Sequence, residues 1–207
     1  MRLLATASVL ALLMPIHNLM GQEPSAPAAK PTDPGFTEAL FDSTTIADML
    51  KDDKAMAVRF YNVLVPPENK DGSAMAIGIH ADGSEINKGN AYQVSLGFVN
   101  GVIKMNALNS KDAKTACSSM QASGHPSYSA SFTRTEIEAL TDLQGCQALQ
   151  AAPDTAKGET TMRLTAMKIT GGKAEPLGSD PKFVRVCGFP CPSVCGPDKN
   201  YVYRFKP

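Results

Sequence analysis

No common catalytic signature occurs in the chain: there is no G-x-S-x-G elbow, no H-E-x-x-H helix, no Walker loop and no EF-hand loop. Histidine is scarce, three in 207 residues, and only His80 and His125 lie beyond the N-terminal segment, which leaves few Ser-His or Cys-His schemes. An excess of one charge is lacking too. Lysine plus arginine and aspartate plus glutamate number 20 each, with no basic run and no aromatic-basic interleaving, so a nucleic-acid partner has little support. Beyond the first residues no apolar stretch reaches membrane-spanning length. No cysteine precedes Cys117, which excludes a lipid anchor on an N-terminal cysteine.

What is present at the start is an export signal. Met1-Arg2 is a short positive beginning, Leu3 to Met14 is an uncharged apolar run, and Pro15 ends it before polar residues follow. Residues 1–21 are read as a signal peptide, and localisation is expected to be exported, periplasmic or extracellular, in a bacterium. Residues 22–36 contain "QEPSAPAAKPTDPG", with four prolines and little to bury, and read as a flexible linker. Residues 37–207 then have the size of one domain with a core of its own.

A self-similarity search finds "FDSTTIADML" (Phe41 to Leu50) over "FTRTEIEALT" (Phe132 to Thr141) at an offset of 91 residues. Asp42 and Thr133 coincide as N-caps, and Glu136 completes a capping box in the second segment, so both predict short helices. "MAIGIHADG" lies over "RLTAMKITG" at 88, suggesting two pseudo-repeats near 41–108 and 132–207. Strands are expected at Met56 to Val65, around "MAIGIHA", near Leu149, and at Met162 to Ile169, Phe183 to Gly188 and Tyr201 to Phe205. Turns are expected at Asp71-Gly72 and Asp82-Gly83. "AYQVSLGFVNGVIKMNAL" reads as a hairpin about Asn100-Gly101, followed by a helix at Lys111 to Gln121 capped by Ser110. The fold class is α+β with mainly antiparallel sheet.

Five cysteines remain: Cys117, Cys146, Cys187, Cys191 and Cys195. In an exported chain all five are disulfide candidates, and the first pairing expected is Cys117 with Cys146, plus one bridge within "CGFPCPSVCGP". The odd thiol is left free or links a dimer. A metal site would draw on Cys187, Cys191 and Cys195 with His125 or His80 as the fourth ligand, but Pro190 and Pro192 deny the helix that this spacing would need, and no second paired cluster exists. A redox centre normally spaces its cysteines two residues apart, not three. Ser84 and Asp82 stand near His80, yet strand alternation sends neighbours to opposite faces and turn chemistry explains them. Glu136, Glu138 and Asp142 read as a capping box and a solvated helix face, and the methionines as core filler. No catalytic residue and no cofactor is assigned.

"AVRFYNVL" (Ala57 to Leu64), "AIGIHADGSEI" (Ala76 to Ile86), Gly145-Cys146 and the "CPSVCG" tail (Cys191 to Gly196) together resemble small uncharacterised bacterial secreted proteins with a Cys-Pro-rich C-terminal tail. The resemblance implies an exported module with a structural cysteine tail and carries no activity. The function expected is a non-enzymatic module with a protein or envelope partner. The alternative is a secreted hydrolase or thiol-dependent enzyme, or a metal-binding protein using the C-terminal cysteines.

Overall fold

The computed structural model describes residues 35–126, 128–156, 159–187 and 190–191. The expected signal peptide, nearly all of the linker, the Tyr201 to Phe205 strand and Cys195 lie outside the described residues. The linker boundary shifts: Phe36 is buried and its ring stacks on Tyr128 at 6.5 Å, so residue 36 belongs to the domain core.

The fold is α+β and mostly antiparallel. Its strands are β1 (Ala39–Asp42), β2 (Ala55–Val65), β3 (Asn69–His80), β4 (Tyr92–Val99), β5 (Val102–Leu108), β6 (Ser129–Thr133), β7 (Ala148–Ala156), β8 (Glu159–Thr170), β9 (Lys173–Pro176), β10 (Val184–Val186) and β11 (Pro190–Cys191). Three α-helices accompany them: α1 (Ser43–Asp48), α2 (Ser110–Ala122) and α3 (Arg134–Thr141). One sheet runs β1-β7-β8-β10, with β9 also on β8. The other runs β11-β6-β2-β3-β4-β5.

The caps fall where short polar side chains can bond the first free amides. Asp42 Oδ1 accepts from Thr45 N at 2.8 Å, and Thr133 with Glu136 forms the capping box. Phe41 and Phe132 are the strand residues preceding these helices rather than parts of them. On α2 the cap is Asn109, not Ser110: Asn109 Oδ1 accepts from Lys111 N at 2.9 Å and Asp112 N at 3.0 Å. The Asn100-Gly101 turn has φ of 53° and 79°, the left-handed pair that suits a tight hairpin. Asp71-Gly72, by contrast, lies inside β3. Gly72 is needed there for close approach, since at φ 74° a Cβ would collide with the carbonyl of Gly35 where the chain enters the domain.

Residues 39–80 and 129–170 share one element order, strand, short helix and two long antiparallel strands, while the pseudo-repeats expected over 41–108 and 132–207 are not confirmed beyond it. They are also interlocked. β1 pairs with β7 and β6 with β2, so each first strand is lent to the other half. Asp42 faces Ala148 and Phe41 faces Leu149, while Thr133 faces Ala57 and Phe132 faces Val58, every residue 91 places from its counterpart.

β2 is central and buried on both faces. Its Phe60 side meets the sheet of β1, with Phe41 of β1 at 5.3 Å and Phe132 of the neighbouring β6 at 5.8 Å in edge-to-face contacts. Its Tyr61 side lies under α2, whose Ala113, Ala116, Cys117 and Met120 are buried. No helix among the described residues is long and apolar enough to cross a membrane.

Candidate functional site

The described cysteines are dispersed. Cys117 lies on the inner face of α2, Cys146 in the turn between α3 and β7, and Cys187 just beyond β10, and none of the three is bridged to another among the described residues. The expected Cys117–Cys146 bridge is therefore absent: α2 covers one face of the larger sheet, while Cys146 belongs to the smaller sheet packed on the other. Burial raises the Cys117 thiol far above its ordinary pKa, with Glu85 adding to the effect. Desolvation also raises Cys146, opposed by hydrogen bonding to Met167 and Ala148. Cys187 donates from Sγ to Ser131 O at 3.3 Å. In native protein, Ellman's reagent is expected to modify Cys146 slowly and to reach Cys117 only after denaturant is added. Rapid native modification of Cys117 would contradict its position.

Nor do the metal candidates converge. His125 follows α2 and lines a cavity of about 440 Å³ with Phe36 and Met120, whereas Cys187 is bonded to β6. Among the described residues no three of histidine, cysteine, aspartate and glutamate gather as a metal site. The side chain of Cys191, like all of Cys195, is outside the described set.

His80 and Ser84 do meet: an extended strand would hold residues four apart on one face but at a distance, and the chain turns between them. Gly83 N donates to His80 O at 2.9 Å and His80 N to Ser84 O at 2.8 Å, closing a turn that brings Ser84 Oγ to 3.1 Å from His80 Nδ1. Asp52 Oδ2 stands 3.7 Å from His80 Nε2. The composition is that of a Ser-His-Asp triad, but the protons are arranged otherwise. Ser84 has one hydroxyl proton, and it is given to Asp82 Oδ1 at 2.6 Å. Nδ1 is then the donor to Ser84, so the imidazole has no lone pair there to accept the serine proton as a base must. Asp52 is held below the usual carboxylate range, chiefly by the amide of Lys54 and further by His80. Asp82 also accepts from Ser84 N at 2.9 Å, as an Asx turn does. The cluster is a clamp on the β3 turn.

A polar network lies beneath it. Glu85 is 2 % exposed and accepts hydrogen bonds from Tyr61 OH and, at 2.5 Å, from Tyr92 OH. Arg59 Nη1 reaches Tyr61 OH at 3.4 Å and its Nε donates to Ser131 Oγ at 3.0 Å. Arg59 and Tyr61, two apart on β2, share one face, and the isolated bridge from Ile79 to Glu85 turns the carboxylate inward between them and β4. Burial, then Glu85, pushes Tyr61 far up. Burial pushes Tyr92 up too, with Tyr61 and Glu85 adding. Arg59, Tyr61, Glu85 and Tyr92 are all buried, so this is interior structure and not a place for substrate. Sequence reading missed it, since an isolated glutamate in a loop carries no sign of burial.

Two open surfaces are built on strand edges. One is β5, outermost in its sheet, with β4 as its only strand partner among the described residues. Val102, Lys104 and Asn106 are exposed along it, and at the hairpin tip Val99 and Val102 are 51 % and 52 % exposed. The other is a slot of about 280 Å³ between the start of β1 and the outer half of β4.

No family model, curated protein or solved structure matches the chain.

Proposed function

We propose that this is an exported, non-enzymatic interaction module that adds a partner's strand to the β5 edge. The observation that carries the reading is the edge itself: seven residues of regular strand, paired on one side only among the described residues, and starting at Val102, which with Val99 of β4 makes an exposed hairpin tip. Main-chain groups on such an edge offer affinity to any extended segment, and alternate side-chain positions give selectivity. Lys104 is the single charge on β5, which limits indiscriminate edge-to-edge pairing without closing the edge. The apolar start of the chain and its proline-rich continuation support export and a tether. The enzymatic alternative has the His80–Ser84 contact in its favour, and the commitment of the Ser84 proton to Asp82 weighs against it.

The test is amide hydrogen exchange on chain recovered outside the cytoplasm, alone and with the soluble proteins of that compartment. Alternate amides of Val102 to Leu108 are expected to exchange freely alone and to slow at least tenfold with partner. Edge amides that are already protected alone, or an alternating pattern that never appears, would sink the proposal. Finding the chain only in the cytoplasm would sink the export half of it.

A further inference from the structure

The slot beside β1 has a counterpart in the other half, and there it is closed. β11 pairs with β6, Pro190 facing Ala130 and Cys191 facing Ser129. Moving that pairing back by 91 residues sets Val99 against Ala39 and Asn100 against Glu38, the ends of β4 and β1. In the first half these strands are not paired. Among the described residues, β4 leaves β3 after Val94 and thereafter pairs only with β5, while β1 pairs only with β7. Among those residues two facing strand edges are thus left with main-chain groups outside any ladder, and an unpaired edge of this kind is where an extended segment adds.

Two side-chain observations agree with an occupant. Ser95 lines the slot, is fully buried, and its Oγ has no hydrogen-bond partner among the described residues, a state that buried hydroxyls seldom keep. At the mouth, Glu38, Glu68 and Asp71 outnumber Lys70, all four exposed, and Glu68 and Asp71 form no ion pair among the described residues. With about 280 Å³ the slot is at or below the small end of ligand cavities, which run from about 300 to 1,000 Å³, so it suits a short stretch of chain.

We propose that the slot between β1 and the outer half of β4 binds an extended peptide segment bearing a basic side chain, its main chain bonding to the two open edges and its cation to the acidic mouth. This site is separate from the β5 edge and does not depend on it.

The test is an amide chemical-shift titration of the full exported chain with two blocked pentapeptides, Thr-Val-Lys-Val-Thr and Thr-Val-Glu-Val-Thr. The lysine peptide is expected to move amides at Glu38 to Leu40 and Ser95 to Phe98, with affinity at least tenfold above that of the glutamate peptide. Reversing the mouth with Glu68→Lys and Asp71→Lys, both on exposed side chains, should invert that preference while leaving the dispersed spectrum intact. Absence of shifts at the slot overturns the proposal, and so does equal binding of both peptides. Shifts confined to Val102 to Ala107 overturn it while leaving the edge reading standing. Cross-strand proton contacts from β1 or β4 to the chain's own residues before Gly35, seen before any peptide is added, overturn it as well, because the slot would then be filled in cis.

Discussion

Phe60→Ala is expected to destabilise the domain by about 3–5 kcal/mol, the range for truncating a buried phenylalanine. Against a usual total of about 5–15 kcal/mol this lowers the folded fraction sharply at physiological temperature. The reason for the upper part of the range is position. Phe60 is fully buried, its ring has Phe41 at 76° and Phe132 at 81°, and each edge-to-face pair adds roughly 0.5–1.5 kcal/mol beyond burial. Phe41 and Phe132 are the penultimate residues of β1 and β6, the two strands that the halves lend to each other. The cavity left by alanine therefore opens against both lent strands at once, and neither can collapse into it without shifting register. Urea unfolding followed by circular dichroism measures the change, with Val99→Ala at the exposed hairpin tip as a control within about 0.5 kcal/mol. A loss below about 1 kcal/mol at Phe60 would mean that the aromatic trio is not the centre of the core.

That centre was partly legible in the sequence. Phe41 over Phe132 was visible as an offset match, and the same offset reappears in the strand registers. Local signals were read well where the chemistry is local: the capping box at Thr133, the Asn100-Gly101 hairpin and the alternating runs beside it. Where a residue answers to something distant, local reading misleads. Asp71-Gly72 has turn composition, but its glycine is set by the passage of Gly35 across β3. Ser110 looks like a cap, yet the preceding Asn109 reaches two amides.

The sites show the same division. Alternation alone placed His80 and Ser84 apart, because it has no term for the turn between them. The cysteine pairing failed for a topological reason, since spacing says nothing about which face of a sheet a residue is on. The slot is equally non-local. It exists because β4 parts from β3 after Val94 while β1 stays with β7, and neither event leaves a composition signature in the residues concerned.

Glu85→Ala should match or exceed the loss at most core positions, about 3–5 kcal/mol, because it removes one member of a buried charged network and leaves the others without compensation. Tyr61 and Tyr92 would lose the Glu85 carboxylate that accepts their hydroxyl protons, and Arg59 would stay buried beside Tyr61 and Ser131. Glu85→Gln keeps the shape and one acceptor but turns an amide donor toward a hydroxyl, for which about 1–3 kcal/mol is expected. If the two hydroxyls act through the carboxylate, Tyr92→Phe made on the Glu85→Gln background should cost less than in the wild type. The same network has a pH signature. Tyr61 and Tyr92 are both held protonated well above the ordinary tyrosine value of about 10, by burial first. Their contribution to stability is complete below about pH 10 and declines above it, where the unfolded chain releases tyrosine protons that the folded chain retains. Absorbance at 295 nm should therefore show Tyr61 and Tyr92 ionising only together with the loss of far-ultraviolet dichroism. Ionisation of both in a chain that keeps its dichroism, or a Glu85→Ala protein as stable as the wild type, would remove this network from the forces that hold the fold.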